Sequence, residues 1–179
     1  MDTTKQLQDR LVTYIHNNGN KYYMEYIVQA GETTRHQMAL DHLHDIPNGD
    51  TRFGEIMEWK NNNVVEITAT LHTGQLVLIP YVPSEVASFE LTTSDGSNVR
   101  KKPVIAAEHF LYLAPNKTPF LYDKKSLTVD AAGLLWVKVY LVPHYKDKLN
   151  VLHSVGWICV KQGNVHYTDP AIDKGVATG

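Results

Sequence analysis

Leu134-Leu-Trp-Val-Lys-Val-Tyr-Leu-Val142 is the stretch that decides the fold. Every residue in it except Lys138 is aliphatic or aromatic, and three are valine. Branched and aromatic side chains fit a pleated, packed surface better than a helix. The run is far short of the ~20 apolar residues of a membrane-spanning helix. A short, continuously apolar strand is buried on both faces, which predicts a central position in a sheet. Lys138 is the one residue that breaks the pattern.

The same grammar continues outward. Toward the C-terminus come Val151–Lys161, the turn Gln162-Gly163-Asn164, and Val165–Thr168. Toward the N-terminus, His109–Leu113 precedes a loop over Ala114–Pro119. Val86–Thr92 and Asn98–Ala107 flank Asp95-Gly96, which predicts a hairpin between them, and Pro103 argues for an edge position or a bulge. Further out lie Gln75–Tyr81, then Val64–His72 and Glu55–Lys60 separated by Asn61-Asn-Asn. In Val64–His72, Val65, Ile67, Ala69 and Leu71 alternate with polar residues, as on a half-buried strand. Lys21–Gln29 and Arg10–His16 are joined by Asn17-Asn-Gly-Asn, a hairpin connection. A helix over residues 4–16 competes with the last strand, through Leu7, Leu11 and Ile15 at i, i+4 and i+8.

About ten short strands with no alternating βα units predict an all-β fold: an antiparallel β-sandwich, jelly-roll-like, with at most one or two short helices at 4–16 and 34–46. One domain over residues 1–172 is expected, with a flexible tail at 173–179. The length of 179 residues suits one core, and 43% hydrophobic and 20% charged residues are globular proportions. One cysteine, Cys159, excludes an intrachain disulfide. The first residues lack the charged and apolar regions of a signal peptide, so a cytoplasmic protein is expected, with an exported mature chain as the alternative.

Lysine and arginine are too dispersed for a nucleic-acid footprint; Arg100-Lys101-Lys102 is the only run and reads as a solvated strand end. The formal charge is −2 with nine histidines neutral, so the sign changes under mild acid.

Three of those histidines, His36, His42 and His44, fall in Thr34–Asp45. On a strand they share one face, and His42-x-His44 places two imidazoles within ~7 Å, a geometry that suits Zn, Cu or Fe. On a helix no two converge, because each position advances ~100°. Thr34-x-x-Gln37 is a capping-box pattern and Pro47 a stop, which favour the helix. A metal site needs further ligands, and His109, His144 and His153 are the candidates. No cofactor is the first expectation; a transition metal is the alternative.

His42-x-His44 invites comparison with the cupin motif. That motif needs a glutamate four or five residues on, where this chain has Asn48 and Gly49, so the assignment is rejected. Ile79-Pro80-Tyr81 with His36, His109 and His153 resembles periplasmic iron-transport-associated β-sandwiches, which are exported. Tyr167-Thr-Asp169-Pro170-Ala-Ile172 is similar to the Trp-Asp-Pro-x-Ile close of bacterial inclusion-body proteins, which are β-rich. Each covers few residues, and no family is assigned on them.

Nucleophile-elbow, phosphate-loop and His-Glu-x-x-His signatures are all missing from the sequence. Cys159, in an apolar strand, reads as a small buried hydrophobe. Tyr22, Tyr23 and Tyr26 cluster in one hairpin and are candidates for a ligand-stacking or subunit surface. The function expected is therefore non-catalytic: binding or self-assembly as a homo-oligomer. The alternatives are a metal-binding β-sandwich on the histidine cluster and a carbohydrate-binding module for a small-molecule or glycan ligand.

Overall fold

The computed structural model describes residues 3–32, 34–42, 53–68, 70–162, 165–168 and 172. The chain is all-β and mostly antiparallel, with one sheet of five strands and one of eight, consistent with the sandwich-like class expected. The described residues fall into two compact units. One takes those within 3–9, 84–142 and 155–172; the other takes those within 10–83 and 143–154. No helix among the described residues is long and apolar enough to cross a membrane.

The first unit holds the eight-stranded sheet. Its strands are β6 (Val86–Glu90), β7 (Ser97–Arg100), β8 (Phe110–Ala114), β9 (Pro119–Asp123), β10 (Thr128–Val129), β11 (Leu135–Lys146), β12 (Leu152–Gln162) and β13 (Val165–His166). The ends of β11 and β12 that meet at their turn belong to the second unit. The order is β6-β9-β11-β12-β7-β8, with β10 on β11 and β13 on β12. The Leu134–Val142 stretch is thus central, as its composition predicts. Residues 135 to 141 are all buried, each fully buried large aliphatic contributing roughly 1.5–3 kcal/mol. β9 and β10 escaped the sequence reading: Pro119 closes the loop expected at 114–119 and opens β9.

The hairpin expected across Asp95-Gly96 is not formed. The turn itself is present, with Gly96 at φ 76° and its N–H donating to Thr93 O at 3.1 Å. However, β6 pairs with β9 while β7 pairs with β12 and β8. Leu91 bonds to Lys117 and Thr118, which continues the β6–β9 pairing, and Thr92 then bonds to Tyr167, so the chain has left that ladder before the turn. The turn chemistry was right and the partner wrong. Asn98–Ala107 is also shortened: β7 ends at Arg100, and Pro103 lies in the irregular segment after it. With no N–H to donate, Pro103 cannot extend the ladder.

The second unit holds the five-stranded sheet: β1 (Ile15–Asn18), β2 (Lys21–Ile27), β3 (Met57–Lys60), β4 (Asn63–Glu66) and β5 (Leu76–Tyr81), in the order β1-β2-β5-β3-β4. Its outer strands β1 and β4 come close to one another, so the sheet curls around Tyr23, Val64, Leu78 and Met57. The Asn17–Asn20 hairpin forms, with Gly19 at φ 64° in a two-residue turn between Asn18 and Lys21. Val64–His72 is strand only to Glu66; Ile67 and Leu71 are buried from irregular backbone. β4 has β3 as its partner for four residues, and among the described residues nothing continues that ladder beyond Glu66.

Both helix candidates are partly helical. α1 (Thr3–Leu11) replaces the start of the strand expected at Arg10–His16; a 3-10 turn at Val12–Tyr14 then leads into β1. Leu7 and Leu11 are both buried, so the i, i+4 pattern outweighs β-propensity here. α2 (Arg35–His42) occupies the described part of 34–46, and Thr34 Oγ1 accepts from Gln37 N–H at 3.1 Å, the expected cap.

Candidate functional site

A bulge shapes the open edge of the eight-stranded sheet. Along β7 and β8 the partners are Asn98–Leu113, Val99–Tyr112 and then Arg100–Phe110, so Leu111 is skipped. Residues three apart on a regular strand face opposite ways. Directly paired residues share a face. Skipping Leu111 therefore brings Phe110 and Leu113 to the face that carries Asn98 and Arg100. Phe110 is 45% exposed, Leu113 57%, and Ile105 in the preceding segment 56%. β8 has no strand on its outer side among the described residues.

The same unit contains a cavity of about 270 Å³, lined by Asn98, Arg100, Trp136, Cys159, Gln162 and Tyr167, with Asp95, Ile105 and Leu113 also contributing. Trp157 pairs with Arg100, and Trp157, Cys159, Trp136 and Leu134 form a buried cluster against which Tyr167 packs. Arg100 Nη1 donates to Ala106 O at 3.0 Å. The Trp136 indole N–H donates to Asp130 Oδ2 at 2.9 Å. Burial acts to raise the Asp130 pKa, but this bond and the backbone N–H groups of Leu134, Ala132 and Gly133 hold it below the ordinary value. Tyr167 Oη donates to Gln162 Oε1 at 3.2 Å. Burial pushes the Cys159 thiol up to about 11, so it stays protonated near neutrality and is a poor nucleophile.

The second unit gathers another group of side chains. His16 Nε2 lies 2.8 Å from Glu25 Oε1, and its ring is 4.5 Å from that of Trp59. His144 stacks on Tyr14 at 3.8 Å and 20°. Its Nε2 is buried, and among the described residues no hydrogen-bond partner reaches it. Burial lowers its pKa against the opposing pull of Glu25. His153 is buried, with Nε2 2.9 Å from Asp147 Oδ2. That bond, opposed by burial and helped by the N–H groups of Val151 and Leu149, lowers the Asp147 pKa.

The residues singled out in the sequence are dispersed. His36 and His42 stand on α2, so they do not share a strand face. His44 lies outside the described residues. His109 sits in a 3-10 turn before β8, 3.7 Å from Glu108, and belongs to the first unit; His153 belongs to the second. Tyr23 and Tyr26 are buried on opposite faces of β2, while Tyr22 is exposed, so they form no single stripe. Tyr26 Oη donates to the buried Glu32 carboxylate. Among the described residues, no three His, Cys, Asp or Glu side chains converge as a metal would require.

Two groupings were missed. Arg100 does end β7, as expected, but its pairing with Trp157 and its bond to Ala106 O place it in the cavity lining. His16 with Glu25 was legible: a two-residue turn at Gly19-Asn20 fixes His16 opposite Tyr23, diagonal to Glu25. Comparison of the chain with known protein families, with characterised proteins and with solved structures finds no match.

Proposed function

We propose that this protein acts by binding rather than catalysis, as a self-associating β protein whose contact is the β8 edge. The observation that carries the reading is the exposure of Phe110 and Leu113 on a strand that ends its sheet. An open edge presents unpaired N–H and C=O groups, and soluble proteins ordinarily blunt such edges with charge or cover them. Here the edge carries apolar side chains instead, with Ile105 beside them.

A second copy of the chain is the occupant that fits. Two β8 strands paired antiparallel about a two-fold axis satisfy each other's backbone groups, an isologous contact. An axis between Leu111 and Tyr112 sets Phe110 of each copy against Leu113 of the other. The thiol at Cys159 is too basic to serve as a nucleophile at neutral pH, and the sequence carries no catalytic signature.

Light scattering across a range of protein concentrations tests this reading. A dimer that dissociates on dilution is expected, and Phe110→Lys is expected to remain monomeric at every concentration. A wild-type chain that stays monomeric throughout, or a Phe110→Lys dimer of unchanged strength, rejects it.

A further inference from the structure

We propose that the cavity lined by Arg100, Trp136 and Tyr167 binds a sugar acid: one polyhydroxylated ring carrying a carboxylate. This goes beyond self-association and does not depend on it. A guanidinium has five N–H donors in a planar fork that matches a carboxylate. Among the described residues, the acceptor recorded for Arg100 is Ala106 O, reached by Nη1 alone, so donors remain for a ligand. Arg100 is set on the cavity's face by its pairing with Trp157, and the bulge on β8 turns Leu113 to the same face.

The rest of the lining argues for hydroxyl groups on that ligand. Asp95 supplies acceptors, while Asn98 and Gln162 supply both donors and acceptors. The Asp95 carboxylate opposes a ligand of high negative charge, which disfavours phosphates and favours a single carboxylate. The partly exposed Tyr167 ring, packed on the buried cluster that holds Trp136, gives flat apolar surface for the face of a ring. The Trp136 indole N–H is committed to Asp130 and its ring is buried, which leaves Tyr167 as the ring a ligand meets. At about 270 Å³ the cavity falls just below the range of roughly 300–1,000 Å³ typical of ligand clefts, which limits the occupant to about one ring.

Calorimetric titration with glucuronate, glucose and benzoate tests the assignment. The Phe110→Lys chain is used beside the wild type; Phe110 is not part of the cavity lining, so failure here is separable from failure of the association reading. Saturable glucuronate binding is expected in both. Glucose, which lacks the carboxylate, and benzoate, which lacks the hydroxyls, are each expected to bind at least about tenfold more weakly, the size of one lost charge-assisted hydrogen bond or its equivalent. Arg100→Ala is expected to lose the preference for glucuronate over glucose, with its fold checked by tryptophan emission. No saturable binding of glucuronate, equal binding of glucose or benzoate, or an unchanged preference in Arg100→Ala overturns the proposal. The wild-type ligand comparison stands even if Arg100→Ala fails to fold.

Discussion

Lys138 interrupts the most apolar strand of the chain, and its energetics can be separated experimentally. The side chain is 2% exposed, with Nζ 3.8 Å from Asp123 Oδ2 and 6.0 Å from the Tyr140 ring centre. Removing one partner of a buried ion pair leaves a charge uncompensated and costs about 3–5 kcal/mol, while replacing the whole pair by hydrophobes of similar volume is often neutral or stabilising. Asp123→Asn is the cleaner perturbation, because an amide oxygen can still accept the Lys125 N–H that Asp123 Oδ1 caps at 2.9 Å. Asp123 keeps some solvent contact, 16% for its side chain, so the lower end applies: a loss of about 3 kcal/mol, or roughly 6–12 °C in Tm for a chain of this size. Lys138→Met leaves Asp123, whose carboxylate keeps solvent contact and the Lys125 N–H, so it is expected to lose clearly less than Asp123→Asn. The double variant is expected to sit near Lys138→Met alone, a coupling of about 2–3 kcal/mol. Urea unfolding followed by tryptophan emission measures all four species, since Trp136 and Trp157 are buried near β11 and β12. If Lys138→Met loses as much as Asp123→Asn and the double variant loses the sum, the lysine is stabilising in its own right and the reasoning fails.

Two further outcomes follow from packing and from titration. A Cβ added to Gly156 on β12 stands 2.5 Å from Val99 Cγ1, so Gly156→Ala is expected to cost about 1–3 kcal/mol by overpacking. Pairing it with Val99→Ala, which removes that carbon, should cost less than the sum of the two single changes in the same unfolding assay. His144 has its pKa lowered by burial, so between its folded value and the unfolded ~6.5 the unfolded chain binds the extra proton and stability rises with pH. That contribution is complete above ~6.5 and is lost as pH falls toward the folded value. His144→Phe keeps a ring against Tyr14 and should flatten this part of the profile; a folded-state NMR titration midpoint at or above the ordinary value would refute the burial argument.

Most of the strand content was legible because it rests on local signals. β11 and β12 announce themselves by continuous apolar runs, and the β1–β2 turn by Asn-Gly chemistry. Partnership was not legible. Asp95-Gly96 makes its turn, yet β6 and β7 are four places apart in the sheet, because Leu91 and Thr92 bond to residues distant in sequence. α1 shows the opposite case, where two buried leucines one helical turn apart decide a segment whose β-branched residues argued for strand. The histidine segment was legible in its cap, Thr34 to Gln37, and that cap favours the helix over the strand that would have aligned the imidazoles. The face that Phe110 and Leu113 share with Arg100 was hidden because a bulge has no signature in a single sequence: nothing in Phe110–Ala114 marks Leu111 as the residue to skip.

The two proposals meet at one side chain, and that makes them jointly testable. Leu113 belongs both to the exposed edge and to the cavity lining, whereas Phe110 belongs to the edge alone. Edge pairing uses backbone groups in the plane of the sheet; the cavity opens on its face. A ligand in the cavity and a second copy on the edge therefore occupy different space, but both press on Leu113. Any change in dimer strength caused by a saturating sugar acid must be matched by an equal change in sugar-acid affinity on dimerisation, because binding free energies are reciprocal. Leu113→Lys should weaken association and change ligand affinity, while Phe110→Ser, which adds no charge beside Arg100, should weaken association and leave the intrinsic ligand affinity of the monomer as it was. If Leu113→Lys alters association and leaves ligand affinity untouched, Leu113 does not press on the bound ligand, and the coupling through it is excluded even where each event survives alone.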